Sequence, residues 1–268
     1  MIKNQSSVLL FANIFLLCFL IGQVPAYAFD TAFLPVIVYH HIQSEVKSDV
    51  ACTPEQFEHQ IKAIITAGYT PITLNQTAMF LAGALNKKIL KPVLITFDDG
   101  YESLYHYALP VAVKYQVPMT VFVVTARIGR RMQFSNYLTA SQILEMDASG
   151  YWDFGSHSHD LHTDILRIYN AFGEVKNHPV KDLIRRDLNQ SANRLAGLLS
   201  ESPVAIAWPY GKFNHATTRL AREAGFKLHF TSVYGYNEVG SNPFAIRRIP
   251  VTARDTAFSV LKKISRIK

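Results

Sequence analysis

Residues 92–100 read "PVLITFDDG". The unbroken run from Pro92 to Phe97 has the pattern of a strand buried on both faces, as in a parallel sheet covered by helices. It stops abruptly at Asp98 and Asp99, with Gly100 directly behind them. Successive strand residues face opposite ways, yet where Gly100 permits a sharp turn both acids can reach the mouth of a sheet. Two adjacent carboxylates repel, and one of them would normally take up a proton. A cation removes that penalty: one acid holds the metal while the other accepts a proton from the metal's water. The competing reading is an ordinary turn in which an aspartate satisfies backbone N–H groups.

On either side of this stretch, strand-like and helix-like patterns alternate. Upstream, "PVIVYH" reads as a strand and "TPEQFEHQIKAIITAG" as a helix, with Thr53 as N-cap, Pro54 at the first helical position and Gly68 as the stop. "NQTAMFLAGAL" reads as another helix. Downstream come a helix bent at Pro110, the strand "PMTVFVV", a helix between Thr139 and Gly150, and the strand-like "YWDFGSH". "VKDLIRRDLNQSANRLAGLL" is a long amphipathic helix with Leu183, Leu188, Leu195 and Leu199 as its apolar side. "PVAIAWPY", "KLHFTSV" and "FAIRRIPV" supply the remaining strands, and "HATTRLAREAGF" and "DTAFSVLKKISRIK" the remaining helices. This order predicts a single α/β domain with a mostly parallel sheet, either a barrel or doubly wound. Both architectures put their chemistry at the carboxyl ends of the strands.

The 268 residues are 49% hydrophobic, enough for one substantial core. Lys3, the apolar run that follows it, and Ala26 and Ala28 form the pattern of a cleavable secretory signal over residues 1–28. The expected domain is then residues 29–268, exported to the periplasm or beyond, with a retained membrane anchor as the alternative. Cleavage leaves Cys52 as the lone cysteine, which rules out a disulfide framework. The formal net charge of +7 is scattered over "NKKILK", "RIGRR", "LIRRD" and "LKKISRIK". A solvated basic surface follows, with no nucleic-acid motif beside it.

Two further strand ends carry polar chemistry. "DFGSHSHDLHTD" sets His157, His159 and His162 within six residues, and imidazoles with a carboxylate are a common ligand set for zinc and similar ions. His157 and His162 are five apart, a spacing that suits a loop folding around an ion better than one helix face. Asp160 and Asp164 are candidates for orienting a histidine, or else plain loop acids. In "AIAWPYGKFN", Pro209 and Gly211 predict a turn whose N–H groups point into a site, with Trp208 and Tyr210 as candidate sugar-stacking rings. "VIVYHH" brings His40 or His41 to the same rim, where a histidine beside a metal is a candidate general acid.

Together, "TFDDG", "HSHDLH" and "WPYG" resemble the motifs of the polysaccharide deacetylases, the NodB-like carbohydrate esterase family 4. The likeness spans nearly all of the expected domain. The five-residue histidine spacing, and a histidine motif at the front of the chain, are most similar to the biofilm poly-β-1,6-N-acetyl-D-glucosamine N-deacetylases. The resemblance implies a distorted (β/α) barrel and a metal-dependent hydrolase that removes N-acetyl groups from that polymer. It assigns Asp98 as general base, His40 as general acid, and the Tyr210 backbone N–H as an oxyanion donor. Asp99, His157 and His162 become the metal ligands, for zinc foremost, with nickel, cobalt or iron as alternatives. An N-acetylglucosamine polysaccharide is the implied substrate, and exopolysaccharide export machinery the implied partner. Chitin oligosaccharide or peptidoglycan deacetylation, or a non-catalytic glycan-binding module, are the alternatives. The family's arginine two residues before the motif proline is replaced by Ala207, leaving Arg247 or Arg248 to stand in for it.

Overall fold

The computed structural model describes residues 33–46, 48–132, 135–167 and 179–265. The expected signal over residues 1–28 lies outside the described residues. Seven parallel strands close into a barrel in chain order: β1 (Val36–Tyr39), β2 (Pro92–Phe97), β3 (Met119–Val123), β4 (Trp152–Ser156), β5 (Ala205–Ala207), β6 (Leu228–Tyr234) and β7 (Ile246–Pro250). The ring is closed where β7 pairs with β1, Ile249 opposite Ile37. Of the two architectures open to the sequence, the barrel is the one formed.

Helices wrap the outside: α1 (Pro54–Thr66), α2 (Leu74–Leu81), α3 (Leu109–Tyr115), α4 (Ala140–Ala148), α5 (Pro179–Ala196), α6 (His215–Glu223) and α7 (Ala257–Ile264). Thr53, Thr73 and Thr139 each cap a helix with a reciprocal glutamine three residues on, so the boundaries are locally encoded. Leu104–Ala108 forms a π-helical turn that runs directly into α3, where Pro110 stands in the first turn. The irregularity of the barrel shows between β6 and β7, where no helix intervenes.

Two apolar layers result from strand alternation. Val36, Leu94, Phe122, Ala207, Phe230 and Ile246 pack inside, joined at one end by α2 through Phe80 and Leu81. Ile37, Ile95, Phe97, Val121 and Phe154 pack outward against α1 and α4. This two-residue period decides what reaches the mouth. Asp98 continues the phase of inward Leu94, and Arg248 that of inward Ile246. Gly155 carries the inward phase of β4, because a Cβ there would lie 2.6 Å from the Phe122 ring, and His157 follows it.

The long helix corrects one expectation. Leu183 is exposed, and the buried stripe of α5 is Val180, Ile184, Asp187, Leu188, Ser191 and Leu195. Trp208 is also corrected as a sugar platform: it is 1% exposed and stacks on Phe213 within the core.

Candidate active site

Asp98 and Asp99 end β2 with different backbones. Asp99 adopts φ 73°, a left-handed conformation that costs energy in a residue with a Cβ, and Gly100 follows at φ 78°. Asp99 thereby swings its carboxylate toward β4, while Asp98 keeps the inward direction of the strand. Ser158 (φ 72°) and Tyr210 (φ 55°) are strained in the same way, so three strand ends that meet here all carry left-handed non-glycine residues.

Asp99, His157 and His162 each offer one donor atom, and these atoms lie within 4.8 Å of one another. Asp99 Oδ1 is 2.9 Å from His162 Nε2 and 3.8 Å from His157 Nε2. It is buried and makes no hydrogen bond of acceptable geometry, even with His162 so close. His157 Nδ1–H donates to the Ala207 carbonyl at 2.8 Å, which turns the Nε2 lone pair toward Asp99. An orphaned carboxylate oxygen facing two imidazole nitrogens is a donor set that fits a divalent cation. Surface histidines, the bland reading, are excluded for His157, which is 3% exposed.

Asp98 stands apart from that set. Arg248 grips it with both guanidinium arms, Nη1 to Oδ1 at 2.7 Å and Nη2 to Oδ2 at 2.8 Å. Arg248 Nε donates to the Thr231 carbonyl at 2.8 Å. That carbonyl is free because β6 bulges against β7: Phe230 pairs with Ile246 and Tyr234 with Arg248, the register slipping between them. Burial pushes the Asp98 carboxyl up, but the Arg248 charge, with His157, outweighs burial and holds it below its ordinary value. Burial likewise raises Asp99, and His162 with His157 brings it well below. Burial drives His157 down against the pull of Asp98 and Asp99, leaving a neutral ring suited to ligation. Of the two arginines open to the sequence, Arg248 occupies the role vacant at Ala207, and Arg247 is exposed.

His40 follows β1 at the rim. Its Nδ1 is buried without a hydrogen-bond partner among the described residues. His41 turns elsewhere, meeting Ser103 Oγ at 3.1 Å and stacking on Tyr101. At the turn after β5, Gly211 and Lys212 N–H groups donate to the Trp208 and Pro209 carbonyls. The Tyr210 N–H has no such partner among the described residues. Gly211 is obligatory here, since a Cβ would sit 2.0 Å from Ser232 Oγ. The Tyr210 ring is 62% exposed and lies 5.6 Å from that of His162, centre to centre.

Asp187 was missed by sequence reasoning. From α5 its buried carboxylate accepts the N–H groups of His159, Asp160 and Leu161 at 2.9, 2.7 and 2.9 Å, clamping the loop between His157 and His162. Ser191 on the same stripe meets Ser156 Oγ, which in turn receives the Ser158 N–H. An acid on the apolar stripe of a helix was the available signal. Asp160 is exposed, and Asp164 accepts the N–H groups of Leu166 and Arg167, so neither orients a ligand histidine.

The polysaccharide deacetylase family model matches residues 86–229. The chain is 30% identical over 233 residues to the poly-beta-1,6-N-acetyl-D-glucosamine N-deacetylase of Staphylococcus aureus, covering 86% of this chain and 77% of that protein. It superposes on the structure of IcaB from Ammonifex degensii with a TM-score of 0.76 at 29% identity, covering 87% and 97% of the two chains. The chain also superposes on the BpsB deacetylase domain from Bordetella bronchiseptica with a TM-score of 0.66 at 25% identity, covering 82% and 96% of the two chains. The motif-bearing strand ends all fall within the matched region apart from those of β1 and β7, and the chain belongs to the polysaccharide deacetylase family.

Proposed function

We propose that this chain is a metal-dependent N-deacetylase of poly-β-1,6-N-acetyl-D-glucosamine, acting outside the cytoplasm in the making of biofilm exopolysaccharide. The observation that carries the reading is the convergence of Asp99, His157 and His162 beside an Asp98 held separately by Arg248. The named activity of the S. aureus relative supports the choice of polymer. The signal-like residues 1–28 support export, and hand-over to exopolysaccharide export machinery belongs to the same reading.

Asp99, His157 and His162 would hold the cation, zinc foremost, with nickel, cobalt or iron as alternatives. Such a cation, when bound, lowers the pKa of its water and polarises the acetyl carbonyl. Asp98, kept ionised by Arg248, takes the proton of the attacking water on a carboxylate oxygen. The Tyr210 N–H donates to the oxygen that becomes negative as the carbonyl carbon turns tetrahedral. His40 delivers a proton to the amide nitrogen, a poor leaving group until protonated. The carbon–nitrogen bond then breaks, giving acetate and a free amine.

The test is acetate release from β-1,6-linked N-acetylglucosamine oligomers by the zinc-loaded protein, compared with β-1,4 oligomers and peptidoglycan. Asp98→Asn should lower kcat by about 10²–10⁴-fold, the usual contribution of a general base, while zinc still binds. Full activity in Asp98→Asn would remove Asp98 from the chemistry. Activity confined to β-1,4 oligomers or peptidoglycan would replace the proposed polymer.

A further inference from the structure

The register slip between β6 and β7 does more than free the Thr231 carbonyl for Arg248. Phe230 stands opposite Ile246 and Tyr234 opposite Arg248, so β6 holds extra residues between two paired positions. Thr231 spans the gap with its side chain: Oγ1 donates to the Ile246 carbonyl and accepts the Val233 N–H, both at 3.1 Å. Ser232 lies inside the slipped stretch and meets the turn after β5 instead.

That turn holds an unfavourable backbone. Tyr210 sits at φ 55° and ψ 13°, a region that crowds any residue with a Cβ. Its N–H belongs to the peptide before it and its carbonyl to the peptide after it, so these two dihedrals set the angle between the two groups. On the N–H side the Pro209 ring locks its own φ, and the Trp208 N–H donates to the Phe230 carbonyl of β6 at 3.0 Å. On the carbonyl side Ser232 Oγ–H donates to the Tyr210 oxygen at 3.1 Å. Gly211 packs so closely on Ser232 that a Cβ there would also lie 2.5 Å from the Ser232 backbone nitrogen. The Tyr210 N–H is thus held between two fixed points, both of them anchored on β6.

We propose that Ser232 is a positioning residue, whose hydroxyl holds Tyr210 in its left-handed conformation and so keeps the Tyr210 N–H aimed where the oxyanion forms. The inference rests on the function proposed above and adds a residue to its machinery. One bulge then serves both halves of the reaction. Its Thr231 carbonyl orients Arg248 behind Asp98, and its Ser232 hydroxyl orients the oxyanion donor. Without that hydroxyl, Tyr210 relaxes toward negative φ and its N–H turns out of line. The charged oxygen of the transition state depends on the N–H more than the neutral carbonyl of the substrate does, so the loss falls on kcat and spares KM.

The test compares the zinc-loaded wild type with Ser232→Ala on a β-1,6-linked N-acetylglucosamine pentamer. Ser232 is exposed, so the variant keeps the fold. Its kcat should fall about fivefold, the worth of one ordinary hydrogen bond. KM, and zinc affinity in competition with a chelating dye, should stay unchanged. A pentamer carrying a tetrahedral methylphosphonamidate in place of one acetamide should bind the variant about fivefold more weakly. In a Tyr210→Gly background the left-handed conformation carries no Cβ cost, and adding Ser232→Ala should change kcat less than about twofold. Equal kcat in the wild type and Ser232→Ala overturns the positioning role alone. So does a loss that comes with weaker zinc binding, or one that persists in full beside Tyr210→Gly. A wild type that binds zinc yet releases no acetate from any glycan overturns the proposed function, and the role of Ser232 with it.

Discussion

At Asp99 the backbone turns left-handed, and that one dihedral sends two neighbouring carboxylates to different partners. Asp98 stays with Arg248, and Asp99 goes to the imidazoles. Mutual repulsion is relieved by turning each acid toward a different partner. The Asp98–Arg248 pair is 4% and 3% exposed, so neither charge has water to fall back on. Removing one partner of such a pair costs about 3–5 kcal/mol, because the other is left buried and uncompensated. Arg248→Ala should therefore destabilise the protein by that amount in chemical denaturation. Arg248→Lys keeps the charge but loses the two-armed grip, and its acetate release should fall more than its stability. Equal and small effects in both variants would mean that Asp98 needs no such partner.

At the level of elements, helix α5 does more than cover the barrel. Its buried stripe carries Asp187, whose carboxylate replaces water for three N–H groups of the loop between His157 and His162. The loop that presents both imidazoles is thus held from behind. Asp187→Ala should leave the helix intact and weaken zinc binding about 10–100-fold, the usual cost of losing an outer partner of a metal site. Competition against a chelating dye measures this independently of activity. Unaltered zinc affinity would assign Asp187 to packing alone. Helix positions, unlike Asp187, were legible in the sequence: Thr53, Thr139 and the glycines that stop their helices are local signals, and they fall where expected. Leu183 was misread because hydrophobicity alone does not say which side of a long helix meets the barrel.

At the scale of the molecule, the proposed ligands arrive from the ends of β2 and β4, the Arg248 partner of Asp98 from β7, and the candidate acid from β1, so the site exists only when the ring is closed. Metal binding and folding are therefore linked. With zinc at a hundredfold excess over Kd, folding should gain about 2.7 kcal/mol. In a domain of this size that raises Tm by about 5–10 °C. A chelator should reverse the shift, and Asp99→Ala should abolish it. Identical Tm values with zinc and with chelator would deny the cluster its proposed ion.

The sequence alone determined the strand–helix alternation, the capped helix boundaries, and the two acids and two histidines at strand ends. These are set by short-range preferences and by motifs that local chemistry makes recognisable. Tertiary structure decided that the sheet closes, and that Arg248 on β7 meets Asp98 on the loop after β2, 150 positions away. It also decided that Trp208 is core, that Asp187 is a clamp, and that His41 is tied to Ser103 and Tyr101. None of these is a property of a segment. Each depends on which faces the closed barrel brings together, and a linear pattern does not contain that information.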